Sequence, residues 1–281
     1  MACPHHNFRE MEKDIHTDFK DDMSYGDYLQ LNQILSAQTP LSDQHDEMLF
    51  IIIHQSSELW LKLAGHELTE AIENLKQGDF GHAFKVISRV KQIFNQLTQS
   101  WNILSTLTPV DYLKFRDALG HSSGFQSYGY RKLEFLLGNK NQTLLQVHEN
   151  DSKVHQELKC ILEAPSLYDV TLSMLSEQGL KIDKNHLYRD VSLPYEKNDS
   201  VLNAWLTVYR DADTYFELYE LAEKLVDIED SFQQWRFKHM YTVQRIIGNK
   251  TGTGGSSGVA FLKKALDISF FPELFELRTQ L

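Results

Sequence analysis

Two histidines stand where hydrocarbon is expected. His54 follows the unbroken apolar run from Met48 to Ile53 inside the stretch HDEMLFIIIHQSSELWLKLAGHEL. His239 falls on the apolar stripe Phe232, Trp235, His239, Val243, Ile246 of a second helical pattern. A buried neutral imidazole is tolerated when its ring nitrogens find partners, and Gln55, Glu58 or a backbone carbonyl can supply them for His54. The other reading is that these rings carry chemistry. A haem needs one neutral imidazole on a rigid helix and a flat apolar slot, which a helical bundle provides, so His54 and His239 are its two candidates.

Other residues offer a different kind of contact. Tyr112 and Arg116 lie four apart, hence on one helical face, where a phenol and a guanidinium can meet one anionic group; the same spacing also describes a solvated face. GHSSGFQSYG, just after them, mixes glycine and serine with aromatics, a composition that suits close approach of backbone to a ligand as well as a plain surface connection. GNKTGTGGSSGVAFLKKAL has glycines at 248, 252, 254, 255 and 258. It lacks the preceding strand and the spacing of a dinucleotide or Walker loop, which leaves a flexible loop able to close over a ligand and offer N–H groups and the Thr251 and Thr253 hydroxyls.

Several chemistries lose their signatures. No Glu has a His three residues on, as di-iron carboxylate bundles require, and His-Glu-x-x-His does not occur; GHSSG at 120–124 and GGSSG at 254–258 have the Gly-x-Ser-x-Gly spacing, but with no strand pattern before them no nucleophile elbow appears. His148 and His155 are seven apart with no third ligand at metal spacing, so both are expected at the surface. Cys3-Pro-His5-His6 has metal-ligating residue types, on an N-terminus expected to be poorly ordered.

The elements that position these residues read as helices. SYGDYLQLNQILSAQTPLS places Tyr25, Tyr28, Leu31 and Leu35 at helical spacing and predicts a short helix stopped by Pro40. Such a segment must pack on the main body or on another subunit. The His54 helix is predicted from about Asp46 to Lys76, apolar nearly all round and therefore buried, with Phe50, His54, Ser57 and Leu61 on one stripe and Leu49, Ile53, Trp60 and Ala64 beside it.

A second long helix carries Phe84, Ile87, Phe94, Leu97 and Trp101 and is expected to close at Thr108-Pro109. Residues 140–200 hold short helical stretches. From Leu202 a long pattern runs to Ile246 and ends at Gly248, and a Phe-Phe-Pro break precedes a short C-terminal helix. No strand pattern or internal repeat emerges. The expectation is all-α, one domain over residues 1–281, with eight to ten helices of which about four are long.

Composition narrows the partners. The 281 residues are 42% hydrophobic, and 28 Lys and Arg stand against 39 Asp and Glu, a formal charge of −11 with no basic run to track phosphates. Nucleic acid is excluded on that ground. The longest apolar run is about six residues against the roughly 20 that span a bilayer, and MACPHHNFREMEKD has no apolar signal region. Two cysteines, Cys3 and Cys160, are too few for a disulfide framework. A cytoplasmic protein is expected.

HDEMLFIIIHQSSELWLKLAGHEL, PVDYLKFRDALG running into SSGFQS, FLLGNKN, FQQWRFKHM and GTGGSSGVAFL resemble the tryptophan 2,3-dioxygenase family, from Tyr25 to about Thr279. The resemblance implies one haem b per subunit with His239 as its iron ligand, His54 on the opposite side near the substrate's indole N–H, and Trp101, Ser123, Gly124 and Tyr130 around the cofactor. It implies that Phe50 and the Ile51, Ile52 and Ile53 backbone flank the indole, that Arg116 with Tyr112 holds the α-carboxylate, and that Thr253 meets the α-ammonium. It further implies a homotetramer in which Tyr25, Tyr28 and Leu29 complete a neighbour's pocket. The reaction implied consumes L-tryptophan and O2 and opens kynurenine formation. Ile53 makes the run before His54 more apolar than a polar residue there would, and Cys-Pro-His-His lies outside the resemblance. A haem-based gas sensor or oxygen-binding protein on the same helices is the alternative; Arg116 and Thr253 argue against it, because a gas sensor needs no amino-acid clamp. A helical scaffold with core histidines and no cofactor is the third reading.

Overall fold

The computed structural model describes Arg9 and residues 11–281, so Cys3-Pro-His5-His6 lies outside the described residues. Among the described residues there are thirteen α-helices, four short 3-10 turns and no strand, an all-α protein. The chain forms two compact units, one ending at Pro40 and one running Leu41–Leu281.

In the first unit the expected single helix is two. α1 (Tyr25–Tyr28) starts on Ser24, whose hydroxyl oxygen accepts from the Asp27 N–H, and α2 (Leu31–Ile34) follows. Gln30 between them is left-handed at φ 52°, the only such residue that is not glycine among those described, and this breaks the helix before Pro40 can. Tyr25 and Tyr28 are three-quarters exposed and Leu29 is half-buried.

The second unit is built on three long helices. α3 (His45–Lys76) and α4 (Phe80–Leu104) are joined by a tight turn in which Gly78 takes φ +73° and Asp79 caps α4. Ile53, Leu61, Ala64, Leu68, Ala71, Ile72 and Leu75 recur at three to four residues on α3 and face the core, meeting Ala83, Ile87, Val90, Phe94 and Leu97 from α4. At 1.5 Å per residue the 32-residue α3 is about 48 Å long.

α3 is not buried all round. Met48, Ile52 and Leu59 are about two-fifths to one-half exposed, so one apolar face of α3 is uncovered in the single chain.

Pro109 does not close the second helix. α4 ends at Leu104, and Thr108 instead caps α5 (Pro109–Phe115), accepting from the Asp111 N–H with Pro109 in the first turn. A 3-10 turn, Arg116–Leu119, continues α5, and another, Gly124–Gln126, precedes α6 (Tyr128–Leu137). Then come the 3-10 turn Gln142–His148, α7 (Ser152–Glu163), α8 (Leu167–Glu177), α9 (Lys184–Leu187) and α10 (Asp199–Arg210). The pattern from Leu202 is interrupted after α10, and α11 (Phe216–Ile247) is the third long helix. α12 (Val259–Ala265), α13 (Pro272–Glu276) and the 3-10 turn Leu277–Thr279 complete the chain.

The count therefore exceeds the expected eight to ten, because short capped turns carry no lasting periodicity, and three helices rather than four are long. His148 is buried, not at the surface, at the end of the 3-10 turn Gln142–His148.

Candidate functional site

α3 and α5 bring Phe50, His54 and Tyr112 together, and α4 and α11 bring Trp101 and His239 together. On α3, His54 donates its Nδ1–H to the carbonyl oxygen of Phe50, 2.7 Å away and one turn back. The two rings lie 4.1 Å apart. Phe50 packs in turn on Tyr112 and Phe115 of α5, with centroids 5.9 and 5.7 Å away. This aromatic wall seats α5 against α3. Ile53 is buried, Ile51 half-buried and Ile52 points outward.

His239, on α11, is held between indoles. Trp101 of α4 stacks on it at 4.6 Å and 12°, and Trp235, one turn back on α11, lies 5.6 Å away at 29°. Burial first, and then the influence of His54, hold the His239 pKa down at about 4. Burial also lowers His54, with the Phe50 carbonyl pulling the other way. Both rings are neutral at pH 7.

Tyr112 and Arg116 lie together beside the glycine-rich loop. Burial raises the Tyr112 hydroxyl pKa, while the Arg116 guanidinium beside it pulls it back. Arg116 donates from Nη2 to the Thr251 carbonyl at 2.6 Å, and its Nε–H is buried without a partner. Thr253 donates its hydroxyl to the Ser122 carbonyl at 2.6 Å. The glycine-rich loop is thereby tied to both α5 and the Ser122–Gly124 segment. A side chain at Gly254 would put its Cβ 2.7 Å from that of Ser123, so glycine is what lets the loops approach.

The loop is closed at its own neck. Gly252 N–H donates to the Ser256 carbonyl at 3.0 Å, and Gly258, at φ +60°, sits so near the Lys250 carbonyl that a Cβ would come within 2.5 Å of it.

Behind the site lies a buried ionic group. Arg236, one turn before His239, donates to Glu134 Oε1 at 3.1 Å, to the Tyr130 hydroxyl at 3.3 Å and to the Ile268 carbonyl at 3.0 Å. Arg131 holds the other oxygen of Glu134. A carboxylate between two guanidiniums satisfies a buried charge that would otherwise be costly, and it fixes α11 against α6. Tyr130 packs its ring on Trp235 at 5.4 Å. A groove of about 750 Å³ along another face of α11, lined by Thr98, Gln233, Phe237, Lys238, Leu266 and Phe275, includes none of the predicted site residues.

A haem fits these residues. His239 is neutral, keeps part of its surface accessible despite its indole neighbours, and makes no hydrogen bond among the described residues. Trp101 and Trp235 have buried indole N–H groups without a partner. Among the described residues no group of three or more His, Cys, Asp or Glu side chains forms a bare-metal site. Sequence reasoning missed Trp235 and Phe115 as site walls, although both had a signal, being four before His239 and three after Tyr112. It also missed that Thr251 contributes its carbonyl rather than its hydroxyl, which no residue type reveals.

Paired neutral imidazoles bordered by aromatic rings on an all-helical scaffold define a haem-protein class of site, here with a polar clamp at its rim. Comparison narrows the class. The family described as Tryptophan 2,3-dioxygenase matches residues 10–281. A protein of Shewanella woodyi named Tryptophan 2,3-dioxygenase is 76% identical over the whole of both chains. Proteins of the same name from Bacillus anthracis and Serratia proteamaculans are 57% and 56% identical, over 96% and 98% of this chain and 97% and 99% of their own. The chain belongs to the tryptophan 2,3-dioxygenase family, an oxidoreductase family whose cofactor is haem b.

Proposed function

We propose that the chain inserts both atoms of O2 across the indole C2–C3 bond of L-tryptophan, giving N-formyl-L-kynurenine, with haem b held by His239. When bound, ferrous haem would supply the activation of O2. The protein's part is to bind, orient and exclude water.

His54 orients the substrate. A carbonyl can only accept, so the bond to Phe50 keeps the proton on Nδ1 and leaves the Nε2 lone pair to accept the indole N–H. Phe50 and the backbone of Ile51, Ile52 and Ile53 form the apolar wall against which the indole lies. Arg116 meets the α-carboxylate with its unpartnered Nε–H and the rest of its fork, helped by Tyr112. Thr253, whose hydroxyl donates a hydrogen bond to the Ser122 carbonyl, keeps oxygen lone pairs for the α-ammonium. Trp101, Ser123, Gly124 and Tyr130 border the cofactor in this reading.

The reading extends to a cytoplasmic homotetramer. Tyr25, Tyr28 and Leu29 of one subunit close the pocket of another, which accounts for two tyrosines left three-quarters exposed in the single chain. Two cysteines in 281 residues suit a reducing compartment. Among the described residues no helix is long and apolar enough to cross a membrane.

The observation that carries the reading is the pair of neutral imidazoles, one with Nδ1 committed to a carbonyl and the other without a hydrogen bond among the described residues, beside an amino-acid clamp. The test is to load the protein with haem, reduce it anaerobically, and admit air with L-tryptophan while following product absorbance. Product that depends on haem and tryptophan together supports the reading. Oxygen binding without product moves it to the sensor alternative.

A further inference from the structure

We infer that Glu47 is a positioning residue for the indole pocket: by clamping Leu41 and Ser42 it fixes the point at which residues 24–40 leave the His54 helix. The inference rests on the proposal that this segment completes a neighbour's site.

Glu47 lies in the first turn of α3, one turn before Phe50 and two before His54, and is 1% exposed. An acid there ordinarily faces water and complements the helix N-terminus. This one is folded inward. Its Oε1 accepts the Leu41 N–H at 2.7 Å and its Oε2 the Ser42 N–H at 2.8 Å, and the Ser42 hydroxyl donates to Oε2 as well. Consecutive N–H groups converging on one carboxylate form an anion nest, here filled by the chain's own side chain.

Gln44, at the N-cap of α3, makes no side-chain cap, while Ser42 Oγ accepts from the Gln44 N–H at 3.3 Å. Leu41 to Glu47 thus closes into a ring. An ordinary Asp or Ser cap would start the helix equally well, whereas a buried carboxylate gripping residues six and five positions upstream also fixes the backbone at Leu41 and Ser42.

The experiment uses the haem-loaded full chain. In Glu47→Gln one carboxyl oxygen becomes an NH2 group that confronts an N–H donor, so the clamp opens without loss of volume. The expected result is a KM for L-tryptophan raised about tenfold, with kcat and the haem spectrum changed less than about twofold, and faster amide exchange at Leu41 and Ser42. Ser42→Ala, which removes only the hydroxyl donor, shifts KM the same way by less and guards against a misfolded Gln variant. Tyr28→Ala is measured in parallel. If it raises KM while folded Glu47→Gln does not, the Glu47 role is overturned and the shared-pocket reading stands. If neither variant changes KM, the shared-pocket reading has failed and the inference falls with it. If haem loading, kcat and KM all deteriorate together in both clamp variants, Glu47 is merely structural and the inference is overturned.

Discussion

The Nδ1–H of His54 points back along its own helix to the Phe50 carbonyl at 2.7 Å, so the residue that stacks beside the imidazole also fixes its tautomer. One residue spacing, i to i−4, sets both the direction of the lone pair and the wall beside it. No third residue is needed to orient the ring.

The pH dependence follows with a definite sign. Burial holds the His54 pKa below 6.5, so the ring stays an acceptor as pH falls through 6.5 and becomes a cation only lower. The unfolded chain takes up its proton first, so this group's contribution to stability is complete above 6.5 and declines as pH falls towards the folded pKa. The acidic limb of kcat/KM is therefore expected below pH 6.5. A limb centred at or above 6.5 would contradict the assignment.

Arg116→Ala is expected to raise the KM for L-tryptophan steeply while haem content stays normal. Truncating one partner of a desolvated charge pair costs about 2–5 kcal/mol, or roughly thirtyfold to a few thousandfold. Arg116→Lys should recover only part, because an ammonium lacks the planar fork and its hold on the Thr251 carbonyl is less directional. An unchanged KM places the clamp elsewhere.

His239→Ala should abolish stable haem binding. The check is the haem absorbance that survives gel filtration, and full retention with an unaltered spectrum would refute the ligand role. The apoprotein itself should remain helical, since α11 keeps Phe232, Trp235 and Ile246 in the core.

Gly129→Ala tests how α6 sits on the His54 helix. A methyl there would lie 2.9 Å from Leu61 Cβ and 2.9 Å from Glu58 Oε2; the carboxylate can swing aside, but the Leu61 Cβ belongs to the packed face of α3. Overpacking of this kind costs about 1–3 kcal/mol. Thermal unfolding should show the loss, and an undiminished Tm would mean that α6 shifts freely.

Much of this was legible because burial leaves a period. α3 and α11 each run 32 residues with a core face at three to four residue spacing, and a polar ring interrupting that face marked His54 and His239. Tyr112 and Arg116 were legible for the same reason. Gln30's left-handed turn was not, because nothing in its residue type requires it, and the first helix was therefore read as continuous. His148 was misread because a short 3-10 turn has no face long enough to betray burial. The tie between Arg116 and Thr251 runs to a backbone carbonyl 135 residues away, which no side-chain pattern encodes.

The closed neck of the glycine-rich loop has an entropic consequence. Fixing a free residue's backbone costs roughly 1–2 kcal/mol, so a loop as rich in glycine as residues 250–258 ought to exact a heavy toll on any ligand that orders it. Here Gly252 is already bonded to Ser256, and Gly258 is pressed against Lys250. What a ligand must immobilise is the swing of a preformed flap about its ends, and most of the ordering was settled when the chain folded.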